Sequence, residues 1–409
     1  MSTDTPPTRS VYRRLLLPIY APTLLNAASL NALLVLVPLY VLDTGVGAAF
    51  AAFLIGLRGV GMLLFDLPVG ILLARLGDKP VLLSGLLGMS AGALLFALFA
   101  NPWAMCIAAV LSGMGSAAWI IGRQSYITDC SEVGERGRAI AMMAGIMRVG
   151  SVVGPAVGAL VAEAFGFRTA FIVLALTVSC AVLFVAVFTE DARPDKQAGL
   201  VHLARISDIV SSHRRVLING GFASVALQLM RSGRVLLIPL FGYFLDLNIV
   251  TIGLIVSLSA VLDASLFYPV GLVMDRYGRK WTGVPCMVLS AASLALLPLA
   301  TGYYSLLVIS LLAGFANGLG TGLLLTLGSD LAPPGSRGEF LGIWRLIGDI
   351  GHAGGPLLIG ALIELATLGV AALAAAGIGI TGAAVLYWRV DETLKRNNID
   401  RSGKRPGPA

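Results

Sequence analysis

Charge is scarce in this 409-residue chain. Asp, Glu, Lys and Arg make up 12% of it, against about 25% in soluble domains. So little polar surface excludes a water-soluble globule of this length, and lipid is left as the solvent for most of the chain. Histidine and cysteine are equally thin, at three and four residues. Cys106, Cys130, Cys180 and Cys286 stand far apart in sequence, so no zinc or dithiol spacing is present. They read as small hydrophobes inside apolar runs. No nucleophile motif or metal-ligand cluster appears, and a membrane-embedded enzyme is therefore the remote alternative; no cofactor and no metal are expected.

What is present is apolar residue in long runs. The hydrophobic share is 57% and the mean hydropathy is +0.88. A helical span of a bilayer needs about 20 such residues. The pattern predicts twelve spans, at 15–42, 48–73, 81–100, 103–128, 138–162, 169–188, 216–245, 249–273, 281–301, 303–328, 339–362 and 366–388. The first follows Arg13 and Arg14 without a small-residue cleavage site, so a retained helix is expected. The polar stretch 189–215 separates an amino-terminal half, 1–188, from a carboxyl-terminal half, 216–388. Residues 389–409 form a charged tail.

The net charge of +7 raises the question of nucleic acid, but the distribution answers it as topology. Of 29 Lys and Arg residues, 22 fall at the amino end, in alternate loops, in 189–215 or in the tail. The opposite loops hold Arg168 alone. Lys and Arg concentrate on the cytoplasmic side of membrane proteins. Both termini are thus expected in the cytoplasm of a multi-pass protein of the inner membrane, with no nucleic-acid partner.

The halves repeat. An offset of 201 residues links Gly70 to Gly271, Arg75 to Arg276, Gly77 to Gly278 and Lys79 to Lys280. It also links Asp129 to Asp330, Arg136 to Arg337 and Gly154-Pro155 to Gly355-Pro356. Two parallel six-helix units, related about the membrane normal, are a transporter architecture.

The stretch Gly271-Leu-Val-Met-Asp275-Arg276-Tyr-Gly278-Arg279-Lys280 resembles the signature loop of the major facilitator superfamily. Its first-half copy, Gly70-Ile-Leu-Leu-Ala-Arg75-Leu-Gly77-Asp-Lys, has Ala74 where the family has Asp. The resemblance implies an all-α membrane protein: twelve transmembrane helices in two six-helix pseudo-symmetric halves. It also implies that Asp275 docks near a helix amino end in the opposite half, where the dipole favours an anion, and that Ala74 cannot. Gly150-Ser-Val-Val-Gly154-Pro155-Ala-Val-Gly158 is similar to the family's antiporter motif. Generic close packing of helices on small residues is the plainer reading. The motifs come nearest to the twelve-helix drug:proton antiporter group, yet that group's fourth-span arginine falls at Ala109.

Ionisable groups inside spans are costly and mark cavities, partners or proton paths. Arg231 and Arg234 lie one turn apart, deep in the seventh span, and read either as an anion site or as internally paired. Asn26, Asn31, Gln124 and Gln228 are candidate neutral substrate contacts or interhelical glue. Arg345, Asp349 and His352 share one helix face. Asp349 is the first candidate for a proton switch and His352 the second; an Arg345–Asp349 pair is the plain alternative. Arg123 reads as snorkelling to the cytoplasm or pairing with a loop, and Trp119 and Tyr126 as packing in preference to a substrate cage. Arg148 and Asp263 lie at matching depths, about 15 and 16 Å from the cytoplasmic face, and are expected to pair across the halves. The expected activity is proton-coupled export of a small organic solute, leaning anionic or zwitterionic, by alternating access. Import or facilitated diffusion of an organic anion or sugar is the alternative. The expected partners are the solute, protons and the bilayer, and the expected state is a monomer.

Overall fold

A computed structural model describes residues 11–132, 134–190, 209–333 and 336–394. The greater part of the 189–215 linker and of the 389–409 tail lies outside them. Helices account for nearly all of the described residues, with no strand among them.

The spans are α1 (Tyr12–Asp43), α2 (Ala48–Leu76), α3 (Asp78–Leu98) and α4 (Pro102–Cys130). Next comes a continuous helical stretch, Arg136–Phe188, of 53 residues. Straight, it would run about 80 Å, against about 30 Å of hydrocarbon. Gly166 breaks it with φ 82° and ψ 161°, giving α5 (136–165) and α6 (167–188). The second six are α7 (Arg214–Phe244), α8, α9 (Lys280–Leu299), α10 (Tyr303–Leu331), α11 (Arg337–Leu365) and α12 (Leu368–Arg389). Helix α8 is a bent pair, Ile249–Ser265 and Phe267–Tyr277, turning through 41°. Helix α10 breaks between Leu319 and Leu323, where Gly322 takes φ 74°. These twelve spans are the predicted ones, with ends shifted by no more than four residues.

Local chemistry sets the ends. Asn101 accepts from Ala104 N at 2.8 Å to cap α4, and Asn248 accepts from Thr251 N at 2.8 Å to cap α8. Gly77 and Gly278 end α2 and α8 with φ of 82° and 111°. A side chain is strained there, which is why both copies of the signature loop keep the glycine.

Small residues bring the helices together. A Cβ added to Gly158 would stand 2.6 Å from Ala32 Cβ, and one on Gly150 would stand 2.5 Å from Ala27 Cβ. Gly154 abuts the Ala28 backbone as tightly. The Gly-Pro motif of α5 therefore packs on α1 within its own half, while the carbonyl of Pro155 lies against Gly253 of α8 in the other half.

Candidate substrate cavity and the charged contacts between halves

The six-helix units meet along α1–α7, α2–α11 and α5–α8. The tight contacts cluster at the end remote from the signature loops. Gly56 faces Leu357, Gly59 faces Ala353, and Gly360 faces Ala52. Val35 and Leu39 of α1 pack with Ile252 of α8. Glu163 Oε2 accepts from Ile249 N at 3.1 Å. Toward the signature loops the halves part. Asp275 is 78% exposed, and its ion pair is with Arg279 of its own half at 3.6 Å. The expected docking of Asp275 on the opposite half is not found: the carboxylate is exposed and pairs within its own half.

The amino-terminal half walls a cavity of about 360 Å³, which the carboxyl-terminal half meets at Asp263. Asn26 and Asn31 of α1, Ser116, Trp119 and Arg123 of α4, Arg148 of α5 and Asp263 of α8 line it, with apolar surface from Leu30, Ile120 and Met147. Arg148 Nη1 lies 3.1 Å from Asp263 Oδ1, and Arg148 Nη2 donates to Thr321 Oγ1 at 2.9 Å. The other Asp263 oxygen accepts from Asn317 Nδ2 at 2.7 Å. Arg148 also lies over the Phe267 ring, 4.8 Å from its centroid. Both Asp263 oxygens are thus satisfied, and the pair joins α5 to α8 across the halves.

Several sequence expectations are relocated. Gln124 is exposed and off the cavity wall, one residue and about 100° round the helix from Arg123. Arg231 and Arg234 do not line this cavity either. Arg231 donates to Gly320 O at 2.7 Å and to Gln228 Oε1 at 3.4 Å. Arg234 donates to Ala313 O at 3.4 Å and to Ser259 Oγ at 3.5 Å. The break in α10 frees the Gly320 carbonyl, and Arg231 takes it up. Internal pairing is the arrangement found for both, and it engages Gln228 as well. Arg123 does not snorkel: it is 5% exposed on the cavity wall.

A second charged contact joins α2 to α11. Arg345 Nη2 lies 3.8 Å from Asp66 Oδ1, and Arg345 Nε lies 3.5 Å from Asp349 Oδ2. The Asp66 and Asp349 carboxyls are within hydrogen-bonding reach of each other. Neither Asp66 Oδ1 nor Asp349 Oδ2 receives a hydrogen bond from a described protein group. His352 departs from the expected grouping: its charged neighbours are Arg58 and Arg231, not Asp349. Asp349 turns instead to Arg345 and to Asp66 of the other half. Asp66 was not expected as its partner, because two carboxylates repel when both are ionised.

The carboxyl-terminal signature loop carries a further cluster. Arg279 Nε pairs with Asp330 Oδ2 at 2.9 Å, and Thr393 Oγ1 donates to the same oxygen at 2.8 Å. Glu392 accepts from Arg279 N and Lys280 N at 2.9 and 3.0 Å, closing the start of α9. Burial alone would raise the Glu392 carboxyl; hydrogen bonds from the Arg279, Lys280, Leu394 and Thr393 backbones outweigh it and hold the group below its ordinary value. Arg75, Gly70, Gly271 and Arg276 take no part in an ion pair or tight contact between the halves among the described residues.

The Major Facilitator Superfamily model matches residues 21–245 and, again, 220–408. The chain belongs to the Major Facilitator Superfamily. A double match of this kind is what two repeated halves produce. Among curated relatives, the multidrug resistance protein MdtH of Yersinia pestis (strain Pestoides F) is 25% identical over 362 residues, 86% of this chain and 88% of that protein. MdtH of Yersinia pseudotuberculosis serotype O:1b aligns to the same extent. Solved structures agree on the fold. A POT family transporter in complex with a thioalcohol-conjugated peptide superposes with a TM-score of 0.75 at 9% identity, over 92% of this chain and 95% of that one. A peptide transporter POT in complex with sulfate gives 0.73 at 14%, with the same coverage. The superfamily transports solutes across membranes, and this chain is a multi-pass membrane protein of that kind.

Proposed function

We propose that this protein is a proton-coupled exporter of a small organic solute, anionic or zwitterionic, working by alternating access across the inner membrane. The observation that carries this reading is a cavity with a charged contact between the halves on its wall, Arg148–Asp263, and a second charged contact between the halves outside it, at Asp66, Arg345 and Asp349. The positive-inside rule makes the parted end cytoplasmic, together with both termini. The state described is then the one that loads solute from the cytoplasm. The MdtH relatives, named for multidrug resistance, support the outward direction.

Residues 1–188 and 216–388 act as the two rocking bodies, joined by 189–215. The coupled proton resides on the Asp66–Asp349 pair. Two ionised carboxylates in contact repel, and Arg345 neutralises one of them; a single proton neutralises the other. Arg345 is the charged group beside both carboxyls among the described residues. Binding and release of that proton bias the two arrangements of the halves by the difference in its affinity between them.

The test uses inside-out vesicles holding an acid-inside pH gradient, with accumulation of candidate organic acids as the readout. Wild type concentrates a transported acid against its gradient. Asp349→Asn abolishes uphill accumulation and preserves exchange. If Asp349→Asn still concentrates solute on the pH gradient, the assignment is wrong.

A further inference from the structure

Arg123 is the unmatched charge of the cavity. Its side chain is 5% exposed, and its Nε has no hydrogen-bond partner. No carboxylate among the described residues pairs with it. What it has is Trp119, one turn back on α4, with the guanidinium carbon 5.7 Å from the ring centroid. On the same cavity wall, Asn26 is 4% exposed with its Oδ1 also unpartnered. An unpaired guanidinium held this deep costs several kcal/mol unless a counter-charge arrives. The other two charged groups on the wall, Arg148 and Asp263, neutralise each other. The cavity therefore carries one net positive charge.

We infer that Arg123 is the anion-recognition residue of this protein, and that its ligand class is the small organic monocarboxylate with an apolar or aromatic body. Guanidinium suits a carboxylate because its planar donors can take both oxygens. Trp119 holds the cation from one side and leaves the other to the ligand. Leu30, Ile120 and Met147 face the ligand's apolar part. The volume, about 360 Å³, is at the low end of the roughly 300–1,000 Å³ of small-molecule sites. Trp119 thereby passes from packing residue to part of the site. This inference rests on the cavity being the transport site.

The test uses the purified full chain in detergent, with benzoate as probe and benzamide as its uncharged counterpart. Benzoate should raise the Tm of wild type while benzamide leaves it unchanged. Arg123→Gln should weaken benzoate binding about tenfold or more, the effect of losing a charge-assisted contact. Arg123→Lys should retain a reduced response. Without ligand, Arg123→Gln should be as stable as wild type or more so, because it removes an unpaired buried charge. A structural role predicts the reverse. Equal responses to benzoate and benzamide, no response of wild type to benzoate, an unchanged benzoate response in Arg123→Gln, or a lower ligand-free Tm in that variant would each overturn the inference. Should benzoate bind through Arg123 while no carboxylate is accumulated uphill, the site stands and the exporter reading falls. Accumulation that depends on Asp349 but not on Arg123 has the opposite meaning.

Discussion

Removing the carboxylate of Asp263 should close the cytoplasmic side. At the observed 3.1 Å, two unit charges attract by about 5 kcal/mol at an effective dielectric of about 20. Both side chains retain some exposure, 21% for Arg148 and 16% for Asp263, and desolvation offsets a large part of that attraction. Asp263→Asn also keeps a hydrogen-bonding oxygen for Asn317. A net loss of about 2 kcal/mol is left, which corresponds to about a thirtyfold change in an equilibrium. The pair links α5 to α8, and these helices part toward the signature loops as the halves rock. With the pair made only in the state described, the loss falls on that state and shifts the population toward the opposite one. Spin labels on cysteines introduced at Arg75 and Arg276, in a background lacking the four native cysteines, report the separation at the cytoplasmic ends. Wild type should show a dominant long distance. Asp263→Asn should show a dominant short one, and Arg148→Asp combined with Asp263→Arg should restore the long one. An unchanged distance distribution in Asp263→Asn would refute the reasoning, for the pair would then weigh equally on both states.

Two further outcomes follow from the packing and from the loop. A Cβ at Gly59 would meet Ala353 Cα at 2.6 Å, so Gly59→Ala should wedge α2 from α11 at the remote end; labelling of a cysteine placed at Ala52 by an impermeant maleimide from outside should rise. Glu392 has its carboxyl held below the ordinary value, so its stabilising contribution is present above that ordinary value and fades as pH falls through the lowered one. Glu392→Gln should accordingly lower the Tm near neutral pH and flatten the acid limb of a Tm–pH profile, and an acid limb identical to that of wild type would remove Glu392 as its source.

Spans, halves and the Arg148–Asp263 contact were legible because each leaves a trace in one dimension. Apolar runs of bilayer length mark the helices, the 201-residue offset marks the repeat, and matching depth marks the pair. The cavity wall was less legible. Depth along a helix is read from residue number, but azimuth depends on how the helix is turned in the bundle. Arg123 and Gln124 are sequence neighbours, yet one lines the cavity and the other is exposed. Arg231 has the depth of a ligand residue, but a backbone carbonyl freed by the break in α10 claims it. The Gly314-Phe-Ala-Asn-Gly-Leu-Gly320 stretch, with three glycines and Asn317, is the sequence signal for that break. It needed to be read as an irregular segment lining a charged interior, not as an ordinary span.

The repeat also explains why the proposed proton site falls on one flank. Arg148 and Asp349 occupy equivalent positions under the 201-residue offset, and so do Asp66 and Phe267. Each flank thus meets its neighbour at the same places: Arg148 lies over Phe267 on one, and Asp349 faces Asp66 on the other. The backbone geometry is shared, but the chemistry is not. On the α5–α8 flank a cation rests on an aromatic ring and a carboxylate beside it balances the charge. On the α2–α11 flank two carboxyls meet with one arginine between them, so the contact is one charge short of neutral until a proton arrives. Varying pH and following both flanks is the direct check. Arg148 should tolerate conditions that ionise every carboxylate, because its pair is complete without a proton. The Asp66–Asp349 contact should loosen under the same conditions. Distances measured between labels on α2 and α11 should therefore lengthen from acid to alkaline pH in wild type, while those between α5 and α8 stay fixed. In Asp66→Asn the remaining Arg345–Asp349 pair is neutral on its own, and the pH dependence should vanish. A pH response of equal size on both flanks, or one that survives Asp66→Asn, would place the proton elsewhere.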